Sequence, residues 1–166
     1  MRKVFGCVLA AILVATEVMA ATVDVGPLKI EQAFTRPTPG GASVAVGYLT
    51  IVNTGKETDR LVSVTSDISA KAEIHEMKME NGVMKMGEVK DGLPIPAGAT
   101  VALKPGGDHL MFVGIRHAVK PGEVIKATLT FEKAGKVDVP FKAAASMGAM
   151  SPGDDGDSGM GGMKMQ

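Results

Sequence analysis

Soft metal ligands are concentrated in two short parts of this chain. Beyond residue 20, the ten methionines form two groups, and two of the three histidines, His75 and His109, fall within the first group. The first group is Met77, Met79, Met84, Met86 and Met111, and the second is Met147, Met150, Met160, Met163 and Met165. Thioether sulfur is a soft ligand and imidazole a borderline one, and together they suit Cu(I). The clustering therefore makes copper binding the first hypothesis.

The dipeptide Asn81-Gly82 predicts the turn that would bring most of the first group together. Asn-Gly between two β-like runs is the strongest short signal for a hairpin with a type I′ turn. With these residues as the loop, the expected cross-strand pairs are Glu80 with Val83, Met79 with Met84, Met77 with Met86, and His75 with Glu88. Because side chains alternate along a strand, His75 and the four methionines would share one face. Glu76, Lys78 and Lys85 would share the other, and a one-residue slip would exchange the two faces.

His109 and Met111 lie on a second predicted strand. They would point to one side of it, at the surface or rim, while Leu110 and Phe112 would point into the core. A methionine stripe is in most proteins ordinary core packing. A core stripe would normally include Leu, Ile or Val, however, and packing does not require the His-x-Met spacing that occurs at both 75/77 and 109/111. These two observations favour metal binding over packing.

The sequence between residues 21 and 142 predicts a single all-β domain. Short β-branched runs recur there between Gly, Pro and Asn residues, and no segment beyond residue 20 has a clear helical period. The predicted strands are 28–35, 43–52, 60–65, 71–79, 83–89, 100–103, 109–115, 124–131 and 136–141. Many short strands at this spacing indicate a β-sandwich or a Greek-key β-barrel.

The two ends of the chain differ from this domain in composition. Arg2 and Lys3 precede an apolar run too short to span a bilayer, which predicts a signal peptide over residues 1–20, cleaved after Ala20. The alternatives are a single membrane anchor and, less favoured because Cys7 precedes the end of the apolar run, a lipoprotein. Residues 143–166 are rich in Gly, Ser, Asp and Met and lack Leu, Ile, Val and aromatic residues. This composition predicts a disordered, Met-rich tail.

The composition left after cleavage argues against several functional classes. The remaining chain has a nearly balanced charge, so it has no electrostatic footprint for nucleic acid. It has no cysteine, because Cys7 is the only one, and an electron-transfer blue-copper site needs a cysteine thiolate. No Ser-His-Asp set, paired carboxylates or Gly-rich phosphate loop indicates catalysis, and we expect a protein that is not an enzyme.

The spacing of the ligand-type residues resembles the motif of the periplasmic copper chaperone family PCuAC. His75 is followed after ten residues by Met86, and after twenty-two more by His109-x-Met111. The family pattern has about twenty-one residues in the second gap, so this chain differs by one residue in a region that is mostly loop. The sequences of segments 72–77 and 105–111 are also similar to the family.

This resemblance implies a cupredoxin-like β-barrel that binds one Cu(I) ion at its surface. It implies delivery of copper in the periplasm to the CuA site of a cytochrome c oxidase subunit, or periplasmic copper handling more broadly. Carried over residue by residue, the metal ligands are His75, Met86, His109 and Met111, and the other methionines of the first group are neighbours or alternative ligands. We expect a monomer whose partners are copper-donating or copper-accepting periplasmic proteins, with no stable membrane insertion after cleavage.

Two other functions stay open on the sequence alone. One is a periplasmic copper buffer or resistance protein without a dedicated client. The other is a β-sandwich interaction module without metal, whose Met face binds protein, since methionine surfaces do serve that purpose. The tail has two readings as well: its methionines help to bind a second copper ion, or it is a solubilising linker. It has no histidine, so strong Cu(II) binding there is not expected.

Overall fold

The computed structural model describes residues 22–144, so the predicted signal peptide and most of the predicted tail lie outside the described residues. Within this range the chain forms eleven β-strands, and the all-β prediction is confirmed. The strands are β1 (Val23–Val25), β2 (Leu28–Thr35), β3 (Val44–Asn53), β4 (Asp59–Ser66), β5 (Ser69–Glu80), β6 (Val83–Glu88), β7 (Leu93–Ile95), β8 (Thr100–Leu103), β9 (His109–Ile115), β10 (Val124–Phe131) and β11 (Gly135–Ala143). Between residues 22 and 144 there is no helix long and apolar enough to cross a membrane.

The nine strands predicted from the sequence are all present, and two short ones were not predicted. β1 and β7 have three residues each, which is too short for an alternating pattern to stand out. β7 also contains Pro94, which cannot donate to a strand ladder. Its place at the end of the sheet, paired only with β4, explains why a proline is tolerated there.

The strands form a sheet in which chain neighbours and spatial neighbours often differ. The order is β6-β5-β9-β3-β2-β11-β10-β4-β7, with β1 added to β2 and β8 added to β3. Pairs such as β3–β9 and β2–β11 join strands far apart in sequence, as the predicted Greek-key arrangement requires. The hydrogen-bonded path is open and ends at β6 and β7. β6 therefore pairs only with β5, and the β5–β6 hairpin forms one edge of the sheet.

The core lies on the inward face of this sheet. Leu110 and Phe112 are completely buried, as the sequence predicts. The ring of Phe112 meets that of Phe141 edge-on, with centroids 6.0 Å apart. Gly47 lies against both rings, since a Cβ added there would come within 2.8 Å of Phe112. This packing fixes β9 against β3 and so fixes the outward side chains of β9 as well.

Candidate metal centre

The β5–β6 hairpin has the turn and the register that the sequence predicts. Asn81 and Gly82 both have positive φ, 52° and 77°, as a type I′ turn requires. The cross-strand pairs include Glu80 with Val83, Met79 with Met84, Met77 with Met86, and His75 with Glu88. Strand alternation therefore places His75 and four methionines on one face of the hairpin. We call this surface, together with the outward residues of β9, the His-Met face.

β5 pairs with β9 on its other side, and this pairing brings the two histidines together. His75 and His109 are direct cross-strand partners, and their imidazole centroids are 5.6 Å apart. The adjacent pair, Ile74 and Leu110, faces the core and is 4% and 0% exposed. Because burial of Ile74 and Leu110 fixes the register, the two imidazoles are held side by side on the outward face.

The hydrogen bonds of His75 determine which of its nitrogen atoms is available to a ligand. Its Nε2 lies 2.7 Å from Oε2 of Glu73. An ionised carboxylate only accepts, so the neutral imidazole carries its proton on Nε2 and leaves a lone pair on Nδ1. Nδ1 is buried and has no hydrogen-bond partner among the described residues. Leaving a buried polar atom unsatisfied costs about 1–3 kcal/mol, and a metal ion at Nδ1 would provide the missing partner.

His109 is held in the opposite tautomer. Its Nδ1 lies 2.9 Å from the carbonyl oxygen of Gly107. A carbonyl oxygen also only accepts, so the proton of the neutral ring is on Nδ1 and the lone pair is on Nε2. Metal-binding histidines commonly donate their second N–H to a carboxylate or a backbone carbonyl in this way. Both imidazoles therefore have one nitrogen fixed by the protein and one free to coordinate.

A small network of charges supports Glu73. Lys71 forms ion pairs with Glu73 and with Glu88, the latter at 3.7 Å. The hydrogen bond from Lys71, followed by that from His75, lowers the pKa of Glu73, so its carboxylate is ionised at neutral pH. The hydrogen bond and charge of Glu73, followed by the charge of Glu88, raise the pKa of Lys71. The ligand spacing in the sequence does not point to Glu73 or Lys71, although both lie on the same strand face as His75, two and four residues before it.

The two methionines of the predicted ligand set lie on opposite sides of the histidine pair. Met86 is diagonal to His75 across the hairpin and is 53% exposed. Met111 follows His109 by two residues on β9, pairs with Glu73, and is half-buried. The structure thus brings all four predicted residues onto the His-Met face. Met77, opposite Met86, is on the same face, and its N–H donates to Oδ1 of Asp108 at 3.3 Å.

Residues outside this face have other partners. His117 is exposed and its Nε2 lies 2.8 Å from Oε1 of Glu123, so it takes no part in the His-Met face. Arg36 lies over the ring of Tyr48, 5.9 Å from its centroid. Among residues 22–144, no three or more His, Cys, Asp or Glu side chains are grouped so that they could hold a metal ion. The ligand-type residues that do converge are imidazoles and thioethers, the donors that suit Cu(I).

Comparison with known sequences gives one family and two curated relatives. Residues 28–143 match the family described as "Putative lipoprotein LpqE-like". A protein of Leifsonia xyli subsp. xyli named "Putative lipoprotein Lxx21020" is 34% identical over 117 residues, covering 69% of each chain. The uncharacterized protein RP573 of Rickettsia prowazekii is 30% identical over 116 residues, covering 68% of this chain and 64% of its own length.

Comparison with solved structures gives a consistent fold. The apo PCuAC domain from PmoF1 superposes with a TM-score of 0.65 and 28% identity, covering 75% of this chain and 99% of that domain. The copper-bound PCuAC domain from PmoF2 gives 0.62 and 29%, covering 76% and 97%. The Cu(I) form of DR1885 from Deinococcus radiodurans gives 0.54 and 25%, covering 74% and 79%. The resemblance noted from the His-Met spacing is therefore confirmed at the level of family and fold.

Proposed function

Because this chain belongs to the LpqE-like family and has the fold of PCuAC copper-binding domains, we propose that it is a Cu(I) chaperone that carries one ion on the His-Met face. The proposed ligands are His75, Met86, His109 and Met111. The observation that carries the proposal is the pair of adjacent imidazoles, each with one nitrogen fixed by a protein acceptor and the other free. Two of the similar structures are copper-bound forms, and one of these, that of DR1885, is a Cu(I) form.

The donor set suits a carrier of Cu(I) in an oxidising compartment. Thioethers and imidazoles favour the soft ion, and residues 22–144 contain no thiol that could oxidise to a disulfide. Thioethers need no deprotonation, so proton competition is limited to the two histidines. Methionine sulfur does oxidise to the sulfoxide, but that step is reversible. The site can therefore hold a redox-active ion without a reactive cysteine.

Release follows from the uneven exposure of the proposed ligands. His75 is 9% exposed, whereas Met86 is 53% exposed on the edge hairpin. An incoming ligand from a docked acceptor can therefore replace Met86 first, while the buried imidazole still holds the ion. We propose stepwise ligand exchange within a protein–protein complex, with copper remaining Cu(I) throughout. Only metal–ligand bonds are exchanged, and no covalent bond is made or broken, so we propose no enzymatic activity.

The proposed destination is the periplasm, and the proposed client is the CuA site of a cytochrome c oxidase subunit. An exported location is in keeping with the lipoprotein names of the family and of the Leifsonia relative. In this chain we propose cleavage after Ala20 rather than lipidation of Cys7, because the apolar run continues after Cys7. The intact mass of the exported protein tests this, since lipidation would leave Cys7 in place with added acyl mass.

The second group of methionines is proposed to assist with a second copper ion. The chain leaves β11 after Ala143, and the N–H of Ala144 donates to the carbonyl of Thr35. Across the sheet, Thr35 is level with Leu110, the residue next to His109 on β9. β11 is four strands from β5 in the sheet, a lateral distance of roughly 20 Å. Fifteen residues lie between Ala144 and Met160, and such a length spans up to about 50 Å when extended. Deleting residues 146–166 and recounting bound copper tests this role.

The proposed site is tested by anaerobic Cu(I) titration of the mature protein against a chromophoric competing chelator. Wild type is expected to bind one ion tightly, and the His109→Ala/Met111→Leu variant to lose it. His117→Ala is the matched control, because it removes an exposed histidine away from the face and should change nothing. Unchanged binding in the double variant would refute the ligand assignment.

Delivery and buffering are separated by the kinetics of transfer to an isolated, copper-free CuA domain. Ligand exchange in a complex predicts a rate that rises with acceptor concentration and then saturates. A rate independent of acceptor concentration would mean dissociation of free copper, and the buffer or resistance function would then be preferred.

The exposed methionines of the hairpin also favour a second candidate, a protein-binding module without metal. Absence of tight Cu(I) binding in the wild type would support that candidate.

A further inference from the structure

Three methionines of the His-Met face lie outside the proposed ligand set, and two of them are strongly exposed. Met79 is 64% exposed and Met84 is 46% exposed, although methionine is usually a core residue. Their position explains the exposure. β9 begins at His109, opposite His75, so the part of β5 beyond His75 has β6 as its only strand neighbour. No core packing accounts for these side chains.

The geometry of the hairpin places these thioethers within reach of one ion. Met79 and Met84 are direct cross-strand partners, and such pairs have Cβ atoms about 4.5–5.5 Å apart. Met77 is the next residue on the same face of β5, and Met86 lies opposite it. Two flexible side chains on facing strands can both turn toward an ion between them. The third, from Met77, adds a donor on the side nearest the histidines.

The charged residues of the hairpin are paired with one another on the opposite face. Lys78 lies 2.6 Å from Glu76, and Lys85 lies 2.7 Å from Glu80. These ion pairs engage the two hairpin carboxylates that neighbour Met77 and Met79 in sequence. The carboxylate of Asp108 accepts a hydrogen bond from the N–H of Met77. The outer part of the His-Met face therefore offers sulfur donors without hard oxygen donors, which favours Cu(I) over Ca²⁺, Mg²⁺ or Mn²⁺.

We propose that Met77, Met79 and Met84 form an outer Cu(I) subsite that loads the inner site. Copper binds first at the exposed Met79–Met84 pair, moves to the Met77–Met86 pair, and then reaches His75. Each step replaces one sulfur or nitrogen ligand by another, and the ion stays Cu(I). The outer subsite has only thioethers and is open to water, so it binds more weakly than the inner site with its two imidazoles. This inference rests on the proposed function, because it needs an inner site to receive the ion.

The first test follows the methionine methyl groups by NMR in the full mature protein. Ag(I) serves as the redox-inert probe, and Cu(I) is used under anaerobic conditions. The methyl signals of Met79 and Met84 are expected to shift in early, fast-exchanging steps and again after the inner site is filled. The His109→Ala/Met111→Leu variant should keep these shifts while losing the tight ion. If the Met79 and Met84 signals do not respond to either ion, the outer subsite does not exist.

The second test measures how fast copper loads. Met79→Leu/Met84→Leu keeps the apolar surface but removes two sulfurs. Val62→Leu/Val124→Leu is the control, because it changes two exposed apolar side chains on β4 and β10, away from the hairpin and from every proposed ligand. The hairpin variant is expected to take Cu(I) from a chelator donor several-fold more slowly, with the affinity of the tight ion little changed. Equal loading rates in wild type and hairpin variant would overturn the proposal. Equal loading with slower transfer to an acceptor protein would do so too, and would make the pair a protein contact instead.

These outcomes separate the subsite from the proposed function. Loss of the tight ion from wild type would refute the carrier function, whereas the methyl shifts report on the outer subsite independently. A tight ion with unaffected loading refutes the subsite and leaves the carrier function intact.

Discussion

Two imidazoles on neighbouring strands are held in opposite tautomers, each by an acceptor that has no proton to give. Glu73 accepts from Nε2 of His75, and the carbonyl of Gly107 accepts from Nδ1 of His109. The first acceptor is a side chain and is open to substitution, whereas the second is backbone. The pKa of Glu73 is lowered by its hydrogen bonds to Lys71 and His75, so it stays an acceptor well below neutral pH. Glu73 is therefore a positioning residue for His75.

Replacing Glu73 by alanine is expected to release the tautomer of His75. In ¹⁵N spectra of the copper-free protein, wild type should show a protonated Nε2 for His75 and a protonated Nδ1 for His109. Glu73→Ala should give a tautomer mixture for His75 alone and weaken Cu(I) binding by about 10–100-fold, the usual effect of losing such a partner. Glu73→Gln keeps an acceptor oxygen and should restore much of both.

Glu123→Ala is the matched control, because it removes a carboxylate from His117, which lies off the His-Met face. It should leave the spectra of His75 and His109 and the copper affinity unchanged. A fully retained Nε2–H tautomer of His75 in Glu73→Ala would contradict the positioning role.

At the scale of elements, the β5–β6 hairpin determines which side chains face copper. Its register depends on the Asn81-Gly82 turn, because the hairpin lies at the edge of the sheet and packs on little else. All six residues of β6 are exposed, so core packing does not hold this strand in place. The turn and the cross-strand pairs must therefore supply most of its order.

Gly82→Ala is expected to loosen this hairpin. A Cβ at position 82 would meet no atom within 4 Å, so the cost comes from the backbone, whose φ of 77° disfavours any side chain. A left-handed conformation costs a non-glycine residue about 1–2 kcal/mol. Amide hydrogen exchange should accelerate in the outer part of β5 and in β6 but not in β9, and Cu(I) affinity should fall.

Gly87→Ala provides the control for that prediction. Position 87 lies on β6 of the same hairpin. A Cβ added there would meet no atom within 4 Å, and its backbone is not left-handed. Alanine there should leave exchange and copper affinity unchanged. Equal effects at positions 82 and 87 would mean that the turn conformation does not determine the register.

For the molecule as a whole, Asp59 reinforces the end of the sheet at which β11, β10 and β4 are neighbours. It is buried at the start of β4 and accepts hydrogen bonds from the backbone N–H groups of Arg60, Lys133 and Ala134. Burial acts to raise its pKa, but these backbone bonds outweigh burial and lower the pKa below 3.8. The β10–β11 turn is thereby tied to β4.

This shift predicts how acid affects stability. Because the pKa of Asp59 is lower in the folded state than in the unfolded chain, its stabilising effect is complete above the unfolded value of about 3.9. It is lost as the pH falls through the folded value. In urea unfolding, Asp59→Asn should be less stable than wild type at pH 7, and the difference should shrink as the pH falls below 4. A difference that is constant with pH would contradict the role of the charge.

Sequence alone determined the features that depend on local period and turn chemistry. The Asn-Gly turn and two-residue alternation were enough to predict the hairpin register, the shared face of His75 and its methionines, and the burial of Leu110 and Phe112. These are short-range consequences of backbone geometry and of apolar burial. The family, too, could be recognised from the spacing of four residues.

Tertiary structure decided what depends on which strands become neighbours. The pairing of β5 with β9 joins residues 34 positions apart, His75 and His109, and no local pattern encodes that choice. It follows from the packing of the whole core, which also orients Glu73 and Gly107 and so selects the nitrogen atoms left free. Because β9 begins at His109, it does not cover the part of β5 beyond His75, and Met79 and Met84 are exposed there. The sequence is enough to identify the imidazole and thioether donors. Long-range strand pairing determines their geometry, because side-chain position on a sheet depends on register across strands.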